Sequence, residues 1–561
     1  MTGAFVAAAC TISGSTSAVP GGSISGLCTA KNSISVAISY PALVPIFLLG
    51  GGALVVLFLA AMLPKRRYPG LWAGITALVS VGTVIDGLVQ WTQLPNTFSP
   101  LAASFTMGGQ LYYDRFAAFF AILFGAATFL GALVSDGYLT RENLDGPEPY
   151  VLMMACSTGA VLMADAAGLI SLFLGLEIMS IALYTMSAYN RRRAASGEAG
   201  LKYFILGSFA SAIFIYGVAL IYGATGSTQY FEIIAFLATN NVVHTGVLLA
   251  GMGLVIVGLG FKVAAVPFHF WSPDVYQGAP TPFVGYMAAV AKAGGFAGLV
   301  RVLMLALPTE TSNWRPIIWV LAAASVLVGG VLALVQSDLK RMLAYSSVSQ
   351  AGFVLVGLQA GTASGVKALC FYLFTYVFLV IGTFAVISVV QGRGEARNDL
   401  GAVRGLAARS PWLAAALLVL LLGQAGIPLT SGFIGKWVVI SAVIGKGQYE
   451  LGVIAMLGAA IAAFFYLRIA LLVYSTPEAQ AATDGPDGAP AYGASDLQAI
   501  AVAGLSGRDT ALALRAPSTG RLRVPAATSA VLVICVGFTI FAGVTGVLVT
   551  MTNSLSLPWQ L

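Results

Sequence analysis

Apolar segments of about 20 residues, separated by short polar or basic clusters, repeat along most of the sequence. A run of that length crosses the hydrocarbon core of a bilayer as one α-helix. The pattern therefore predicts an all-α, polytopic transmembrane bundle of about fourteen helices. The candidate helices lie near residues 43–63, 70–91, 113–135, 149–164, 167–189, 200–223, 244–266, 281–306, 316–335, 342–358, 364–390, 411–445 (interrupted), 451–474 and 526–550.

Lysine and arginine residues fall in alternate loops between these helices. Basic loops stay on the cytoplasmic side of a membrane, so the alternation is an independent test of the helix count. The intervening loops, such as 92–110 and 224–243, contain no Lys or Arg. This arrangement predicts that both termini are non-cytoplasmic. The basic clusters are Lys65-Arg66-Arg67, Arg141, Arg191-Arg192-Arg193, Lys340-Arg341, the stretch with Arg393, Arg397, Arg404 and Arg409, and the stretch with Arg508, Arg515, Arg521 and Arg523.

Two regions lie outside the predicted helices. Residues 1–42 are expected to form a non-cytoplasmic extension, in which Cys10 and Cys28 either form a disulfide or remain two unpaired residues. Residues 475–525 are rich in Ala, Gly, Asp and Pro and are predicted to form a flexible cytoplasmic loop before the last segment, 526–561.

Composition narrows the class of protein further. With 58% hydrophobic and 9% charged residues, the chain has too little polar surface for a soluble protein. The net charge of +7 resides in the loop clusters, which orient membrane helices, so nucleic-acid binding is not expected. Spacings typical of haem, iron–sulfur or metal ligands are missing from the sequence, and so is a P-loop, which argues against a redox centre and against direct ATP-driven transport.

Ionisable residues inside the predicted helices carry the functional signal. Each costs from about 2.5 to over 10 kcal/mol in a bilayer, so it should face protein or water. Glu177 lies mid-helix in LISLFLGLEIMSIALYT, and Lys262 lies in GLVIVGLGFKVAAVPFHF. Pro267 cannot donate to the carbonyl of Val263, so the seventh helix should open beside Lys262, as a proton relay requires. The alternatives are a structural ion pair for Glu177 and an interfacial anchor for Lys262.

Two further lysines repeat this theme. Lys292 lies in the middle of the eighth helix, in VGYMAAVAKAGGFAGLV, among small residues that allow close helix packing and water. Lys436 lies in the twelfth helix, in GQAGIPLTSGFIGKW, where Pro428 predicts a second break. Two broken helices, each with one lysine, are typical of internally repeated transporters.

Several other polar residues are weaker candidates. Lys202, at the start of the sixth helix, either takes part in proton transfer or marks the cytoplasmic interface, and His269 either transfers protons or makes an ordinary polar contact. A string of hydroxyl and amide side chains in the tenth helix either lines a hydrated path or packs helices: Tyr345, Ser346, Ser347, Ser349 and Gln350.

Three blocks of residues resemble the antiporter-like membrane subunits of respiratory NADH-quinone oxidoreductase, complex I. They are LFLGLEIMSIALYTMSAYNRRR with GLKYFILGSFASAIFIYG, FKVAAVPFHFWSPDVYQGAPTPFVG, and LAYSSVSQAGF with GIPLTSGFIGKW, and together they span roughly residues 150–440. Within the family the sequence is most similar to subunit N, because Lys436 follows GFIG where subunit M is expected to carry a glutamate.

The resemblance implies a fourteen-helix fold with three leading helices (43–135) and two inverted five-helix repeats, 149–306 and 316–474. It implies a Glu177–Lys262 pair, a central Lys292 and an exit-side Lys436. It implies no cofactor in this chain, because FMN, iron–sulfur clusters and quinone belong to partner subunits. The expected partners are antiporter-like neighbours, small connecting membrane subunits and lipids, in a bacterial plasma membrane.

One residue departs from the family pattern. Members commonly have His where this chain has Gln350, and an amide cannot take up a proton at physiological pH. The mechanism that we expect is a change in the Glu177–Lys262 interaction, driven by quinone reduction elsewhere, that passes to Lys292 and Lys436. The rival interpretations are a subunit of a multisubunit cation/proton antiporter, an organic solute carrier and a haem-bearing electron carrier.

Overall fold

Helices form nearly all of the chain that the computed structural model describes, which is residues 38–63, 68, 70–94, 104–240, 245–395, 397–475 and 522–545. Cys10 and Cys28, most of the predicted loop 475–525 and residues 546–561 lie outside the described residues. The described residues all belong to one compact unit.

The helices follow one another with short connections. They are α1 Tyr40–Met62, α2 Leu71–Gln93, α3 Arg115–Glu142, α4 Glu148–Asp165, α5 Leu169–Ser187, α6 Ala194–Thr225, α7 Tyr230–Thr239, α8 Thr245–Lys262, α9 Trp271–Gly278, α10 Thr281–Val300, α11 Thr311–Leu334, α12 Leu339–Gln359, α13 Ala363–Val390, α14 Leu406–Arg409, α15 Pro411–Ala425, α16 Ser431–Ile444, α17 Tyr449–Tyr474 and α18 Ala526–Thr545. A π-helical turn, Arg301–Ala306, continues α10, and single 3₁₀ turns span Pro308–Glu310, Arg393–Glu395 and Leu400–Val403. Two short antiparallel strands, β1 Ser104–Thr106 and β2 Leu111–Tyr113, precede α3.

A helix occupies each of the fourteen segments that the sequence predicts. Eleven of the described helices are long and apolar enough to cross a membrane. The helices that do not meet this criterion of length and apolar character are α4, α12 and the α15–α16 pair. The count of fourteen crossings and the two inverted repeats therefore stay predictions. The apolar-run criterion missed α7, α9 and the β-hairpin, because each is shorter than one crossing.

The centre of the bundle is formed by α10 and α13. Every residue of α10 is buried, and α13 is buried along almost its whole length. Peripheral helices instead expose large apolar side chains, such as Phe47 and Phe58 of α1 and Phe209 of α6. An apolar outer surface around a closely packed interior is what a lipid environment requires.

Both predicted helix breaks are present. The seventh predicted helix, 244–266, ends as α8 at Lys262, and the separate short helix α9 begins at Trp271, beyond Pro267. The twelfth divides into α15 and α16 around Gly426 and Leu429, which have φ of 84° and 71°. The Thr430 side chain then accepts from the backbone N–H of Phe433 and starts α16. The two breaks leave backbone groups without helical partners inside the bundle.

A buried ion cluster joins the 3₁₀ turn after α13 to the starts of α6 and α12. The Glu395 carboxylate lies 2.9 Å from Lys340 Nζ and 2.6 Å from Arg193 Nη1, and the Glu395 and Lys340 side chains are inaccessible to solvent. The other Glu395 oxygen accepts from the backbone N–H of Thr281 at 2.8 Å. This cluster therefore fixes the start of α10 and of α12 against the loop before α6.

Replacing Glu395 with Gln should destabilise the fold. The Glu395→Gln variant leaves Lys340 buried without its counter-charge, which costs roughly 3–5 kcal/mol in comparable sites. Thermal unfolding of the purified protein should show a lower midpoint, whereas Glu450→Gln, at an exposed position of α17, should leave the midpoint unchanged. Equal midpoints for the two variants would contradict this role.

The same carboxylate should make stability depend on acidity. Burial alone would raise the pKa of Glu395, but Lys340 and Arg193 lower it from 4.5 to about 2. A carboxyl whose pKa falls on folding contributes stability above its ordinary pKa, and that stability is lost as the pH drops. The difference in melting midpoint between wild type and Glu395→Gln should therefore shrink between pH 4.5 and 2.

Candidate functional site

Lys262 ends α8 at the first break and points into the bundle. Its side chain is almost fully enclosed, with 3% of the residue exposed. The amine donates to Ser180 Oγ of α5 at 2.7 Å and lies 5.7 Å from the ring centres of Tyr184 and Tyr203. Lys262 therefore sits among neutral hydroxyl and aromatic groups rather than at an interface.

Glu177 lies one turn before Ser180 on α5 and is half-buried. Its carboxylate accepts a hydrogen bond from Ser211 Oγ of α6. No ion pair joins Glu177 to Lys262 among the described residues. Residues three apart share one face of a helix, so Glu177 and Ser180, the serine that binds the Lys262 amine, lie on the same face of α5. Sequence reasoning did not single out this serine.

Lys292 lies at the centre of α10, with 3% of the residue exposed. Its amine donates to the backbone carbonyl of Ser347 and to Ser347 Oγ, the latter at 2.5 Å. Ser347 Oγ in turn lies 2.8 Å from Tyr376 Oη. Close packing of small residues positions this helix, since a Cβ at Gly295 would come within 2.6 Å of Val263.

The Lys436 amine binds backbone carbonyls at the second helix break. With 5% of the residue exposed, its amine donates to the carbonyls of Gln424 and Ala425 at 3.1 and 2.8 Å. These are terminal carbonyls of α15, which carry partial negative charge and have no helical partner. A Cβ at Gly426 would approach Lys436 Cδ to 2.8 Å, so the missing side chain makes room for the lysine stem.

A network of hydroxyl and amide groups fills the space near Lys436. Gln350 Nε2 donates to Tyr466 Oη at 3.1 Å and to the Gln424 carbonyl at 3.0 Å, while its Oε1 accepts from Tyr372 Oη. Tyr466 Oη donates to Gln424 Oε1 at 3.0 Å and contacts Ser346 Oγ. Both the amide nitrogen and the amide oxygen of Gln350 are therefore hydrogen-bonded.

This network nearly connects two of the lysines. The Gln424 carbonyl accepts from both Gln350 and Lys436, and Ser346 is the chain neighbour of Ser347, the partner of Lys292. Polar side chains of α12 therefore extend from α10 to α16. Ser346, Ser347 and Gln350 lie on this path, whereas Ser349 donates to the Val326 carbonyl of α11, and a hydrated path stays a prediction.

An aromatic row links Lys262 to the same path. Tyr203 stacks on Trp271 of α9 with ring centres 4.4 Å apart, and Trp271 lies 6.3 Å from Tyr276. Tyr276 Oη is 3.4 Å from Ser347 Oγ, the hydroxyl that the α10 lysine also binds. Sequence reasoning missed α9, although its Trp and Tyr within an otherwise polar octapeptide were a usable signal.

Lys202 belongs to a surface-connected charged cavity of about 340 Å³. Its amine pairs with Glu198 at 2.7 Å and with Asp274 at 3.0 Å, and Asp274 also pairs with Arg341 at 2.7 Å. These side chains are partly exposed. The structure does not join Lys202 to the buried lysines by a hydrogen bond within the described residues.

His269 lies in the non-helical segment between α8 and α9. Its ring stacks against Phe270, with centroids 4.9 Å apart, and lies 6.2 Å from the ring of Tyr345. The buried Nδ1 atom has no hydrogen-bond partner in the part of the chain that the structure describes. A role for His269 in proton transfer stays a prediction.

Arg301 was missed entirely by the sequence analysis. It is buried at the end of α10, where its guanidinium binds both Asp114 oxygens at 2.6 and 2.8 Å and donates to the Ala164 carbonyl at 2.7 Å. Tyr112 and Phe116 cover it, each with its ring centre 4.6 Å away. This complete set of partners indicates a structural ion pair.

Helices broken at membrane depth and a buried row of amines define a membrane protein of the antiporter-like class. The family model described as NADH:quinone oxidoreductase/Mrp antiporter, TM, matches residues 166–462. NADH-quinone oxidoreductase subunit N of Trichlorobacter lovleyi is 40% identical, over 76% of this chain and 86% of that protein. The chain belongs to the NADH-quinone oxidoreductase subunit N family.

Solved structures agree with this assignment. A chain of respiratory complex I from Thermus thermophilus is 31% identical, with a TM-score of 0.70 over 91% of this chain and 99% of that one. A chain of the Mrp complex from Dietzia sp. has a TM-score of 0.76 at 20% identity, over 92% of this chain and 97% of that one. The second likeness shows the shared fold alone.

Removing the Gln350 amide should disturb the whole network. The Gln350→Leu variant has a side chain of similar size but leaves Tyr372 Oη without its acceptor, at about 1–3 kcal/mol for an unsatisfied buried group. The midpoint of thermal unfolding should fall, and Gln336→Leu, at a half-buried position, should change it little. An unchanged midpoint for Gln350→Leu would show that the network contributes nothing to stability.

Proposed function

We propose that this chain is a proton-translocating membrane subunit of an NADH-quinone oxidoreductase, in which Lys262, Lys292 and Lys436 are the proton-carrying groups. The observation that carries the proposal is that all three amines are buried, each beside neutral acceptors, with aromatic side chains of α9 and polar side chains of α12 between them. Membership of the subunit N family supplies the reaction to which that path is coupled.

Because their hydrogen-bond partners are neutral, these amines can take up and release protons. An ammonium held by carboxylates would keep its proton, because separating a buried ion pair is costly. Here Ser180, Ser347 and the Gln424 carbonyl accept from the amine without neutralising its charge. The proton affinity of each lysine therefore responds to any charge that moves nearby, at about 1.4 kcal/mol per pKa unit.

Glu177 provides such a charge for Lys262. Its carboxylate accepts from Ser211, and Glu177 lies one turn before Ser180, the serine to which the Lys262 amine donates. A small movement of α5 relative to α8 would change the distance between acid and amine, and with it the affinity of Lys262 for a proton. The change then passes to Lys292 and ends at Lys436, beside the second break.

The energy comes from partner subunits. NADH oxidation by FMN, electron transfer through iron–sulfur clusters and quinone reduction take place outside this chain, which contributes the membrane path. Its partners are antiporter-like neighbours, small connecting membrane subunits and lipids. The setting is the bacterial plasma membrane, with both termini on the non-cytoplasmic side. Lys202 and His269 stand as secondary candidates for proton uptake.

Two substitutions test the proton path. Glu177→Gln removes the tuning charge and Lys262→Ala removes the first carrier, so each should reduce quinone-coupled proton pumping by roughly tenfold or more. Pumping is measured in vesicles as the pH gradient formed on NADH addition, with Glu450→Gln as the control for loss of a carboxylate. Unchanged pumping in both Glu177→Gln and Lys262→Ala would refute this mechanism.

A purification separates this function from free-standing cation exchange. The chain should co-purify with flavin-containing subunits that oxidise NADH. Sodium-dependent proton exchange by a preparation without such subunits would instead identify a multisubunit cation/proton antiporter.

A further inference from the structure

The hydrogen-bond partners of Lys436 differ in kind from those of the other two proposed carriers. Lys262 and Lys292 each donate to a serine hydroxyl, and a hydroxyl group both donates and accepts hydrogen bonds. The Lys436 amine instead donates to two backbone carbonyls of α15, those of Gln424 and Ala425. A carbonyl oxygen only accepts, so neither of these groups can hand a proton to the amine. A proton that reached Lys436 from α12 would have to pass through the side chains beside these carbonyls.

The Gln350 amide of α12 reaches this place, and its partners fix its orientation. The Gln424 carbonyl accepts from Gln350 Nε2 at 3.0 Å and from Lys436 Nζ at 3.1 Å, so the amide and the amine are neighbours. A carbonyl oxygen needs a donor, so the amide turns its nitrogen and not its oxygen toward it. The amide oxygen then accepts from Tyr372 Oη. On the side of Lys436, Gln350 therefore presents only a donor.

A second amide, that of the Gln424 side chain, fixes the direction of the neighbouring hydroxyl groups. Thr383 Oγ1 donates to the Leu379 carbonyl at 2.8 Å, so it accepts from Gln424 Nε2 at 2.6 Å. Gln424 Oε1 in turn accepts from Tyr466 Oη at 3.0 Å. This bond uses the one proton of the tyrosine hydroxyl, whose oxygen accepts from Gln350 Nε2 at 3.1 Å. Each of these hydrogen bonds therefore has a single direction.

A chain of hydrogen bonds carries a proton only if each member can accept a proton on one side and release one on the other. Hydroxyl groups do so by rotating, but a neutral amide neither gains nor loses a proton at physiological pH. Tyr466 donates to Gln424 Oε1, and Gln350 Nε2 donates to the Gln424 carbonyl beside Lys436, so both routes end at an amide. We propose that the Gln350 and Gln424 amides block proton transfer between the α12 path and Lys436.

A block at this place has a use in a pump, and in this respect the inference rests on the proposed function. If protons enter before Lys292 and leave beyond Lys436, a continuous path between the two amines would let protons return without NADH oxidation. The amides prevent that return. A charge at Lys292 still changes the proton affinity of Lys436, because an electric field acts through the low-dielectric interior without any proton crossing it. Both amides are deep in the bundle, with 3% of each glutamine exposed.

A group that can titrate at position 350 should open the path. Gln350→His supplies an imidazole, which accepts at one nitrogen, donates at the other and has its ordinary pKa near physiological pH. Gln350→Glu keeps the length of the side chain and supplies a carboxyl group. In vesicles that contain the whole complex but no NADH, each variant should pass protons at least about tenfold faster than wild type, since a positioned proton-transfer group contributes that much or more. The flux is driven by a potassium diffusion potential and followed with a pH-sensitive dye inside the vesicles.

Two controls separate titration from a general disturbance of the helix. Gln350→Asn retains an amide and should keep the passive flux low. Gln359→His places an imidazole at a buried position of the same helix outside the network and should also keep it low. NADH oxidation in the presence of an uncoupler shows that each complex is assembled. Unchanged flux in both Gln350→His and Gln350→Glu, or an equal rise in Gln350→Asn, would overturn the block. Failure of the proposed function would appear differently, as NADH-driven pumping that does not need Lys262.

Discussion

A charged side chain inside an apolar helix bundle needs hydrogen-bond partners or an opposite charge from the protein, because water no longer solvates it. This constraint explains why almost every buried charge in this chain stands beside a helix break, a loop or a hydroxyl group. At a helix break some backbone carbonyls lose their helical hydrogen-bond partners, and these carbonyls can then accept hydrogen bonds from amines. At Lys436 the exchange is direct, because the carbonyls that α15 leaves open are the ones that the amine binds.

The chain satisfies its buried charges in two different ways. At the ends of the bundle, Lys340 and Arg301 each have a carboxylate partner, which fixes loops and helix ends. In the middle, the three proposed carriers bind hydroxyl and carbonyl groups, and within the described residues none of them forms an ion pair with a carboxylate. Complete ion pairs fix the helix ends and loops. The central amines bind neutral partners, so their proton affinity can change when a nearby charge moves. The same residue type therefore serves architecture or transport according to the charge of its neighbours.

Sequence periodicity located the long helices, because a membrane crossing needs an apolar run of known length. It also located both breaks, since Pro267 and Pro428 cannot complete a helix. It could not find Ser180, Tyr466 or Gln424 as partners, because those contacts join helices far apart in sequence and leave no local pattern. The Glu395 cluster was hidden for a related reason: its carboxylate lies in a loop that reads as basic, and Lys340 and Arg193 had been counted only as charges that set orientation.

That cluster has a consequence for biogenesis. Glu395 follows Arg193 by 202 residues and Lys340 by 55, so both cations leave the ribosome long before the carboxylate that will cover them. Until residue 395 is made, burying either cation would be unfavourable. The contacts that join the start of α10 to the start of α12 through this carboxylate therefore form only after residue 395 has been synthesised.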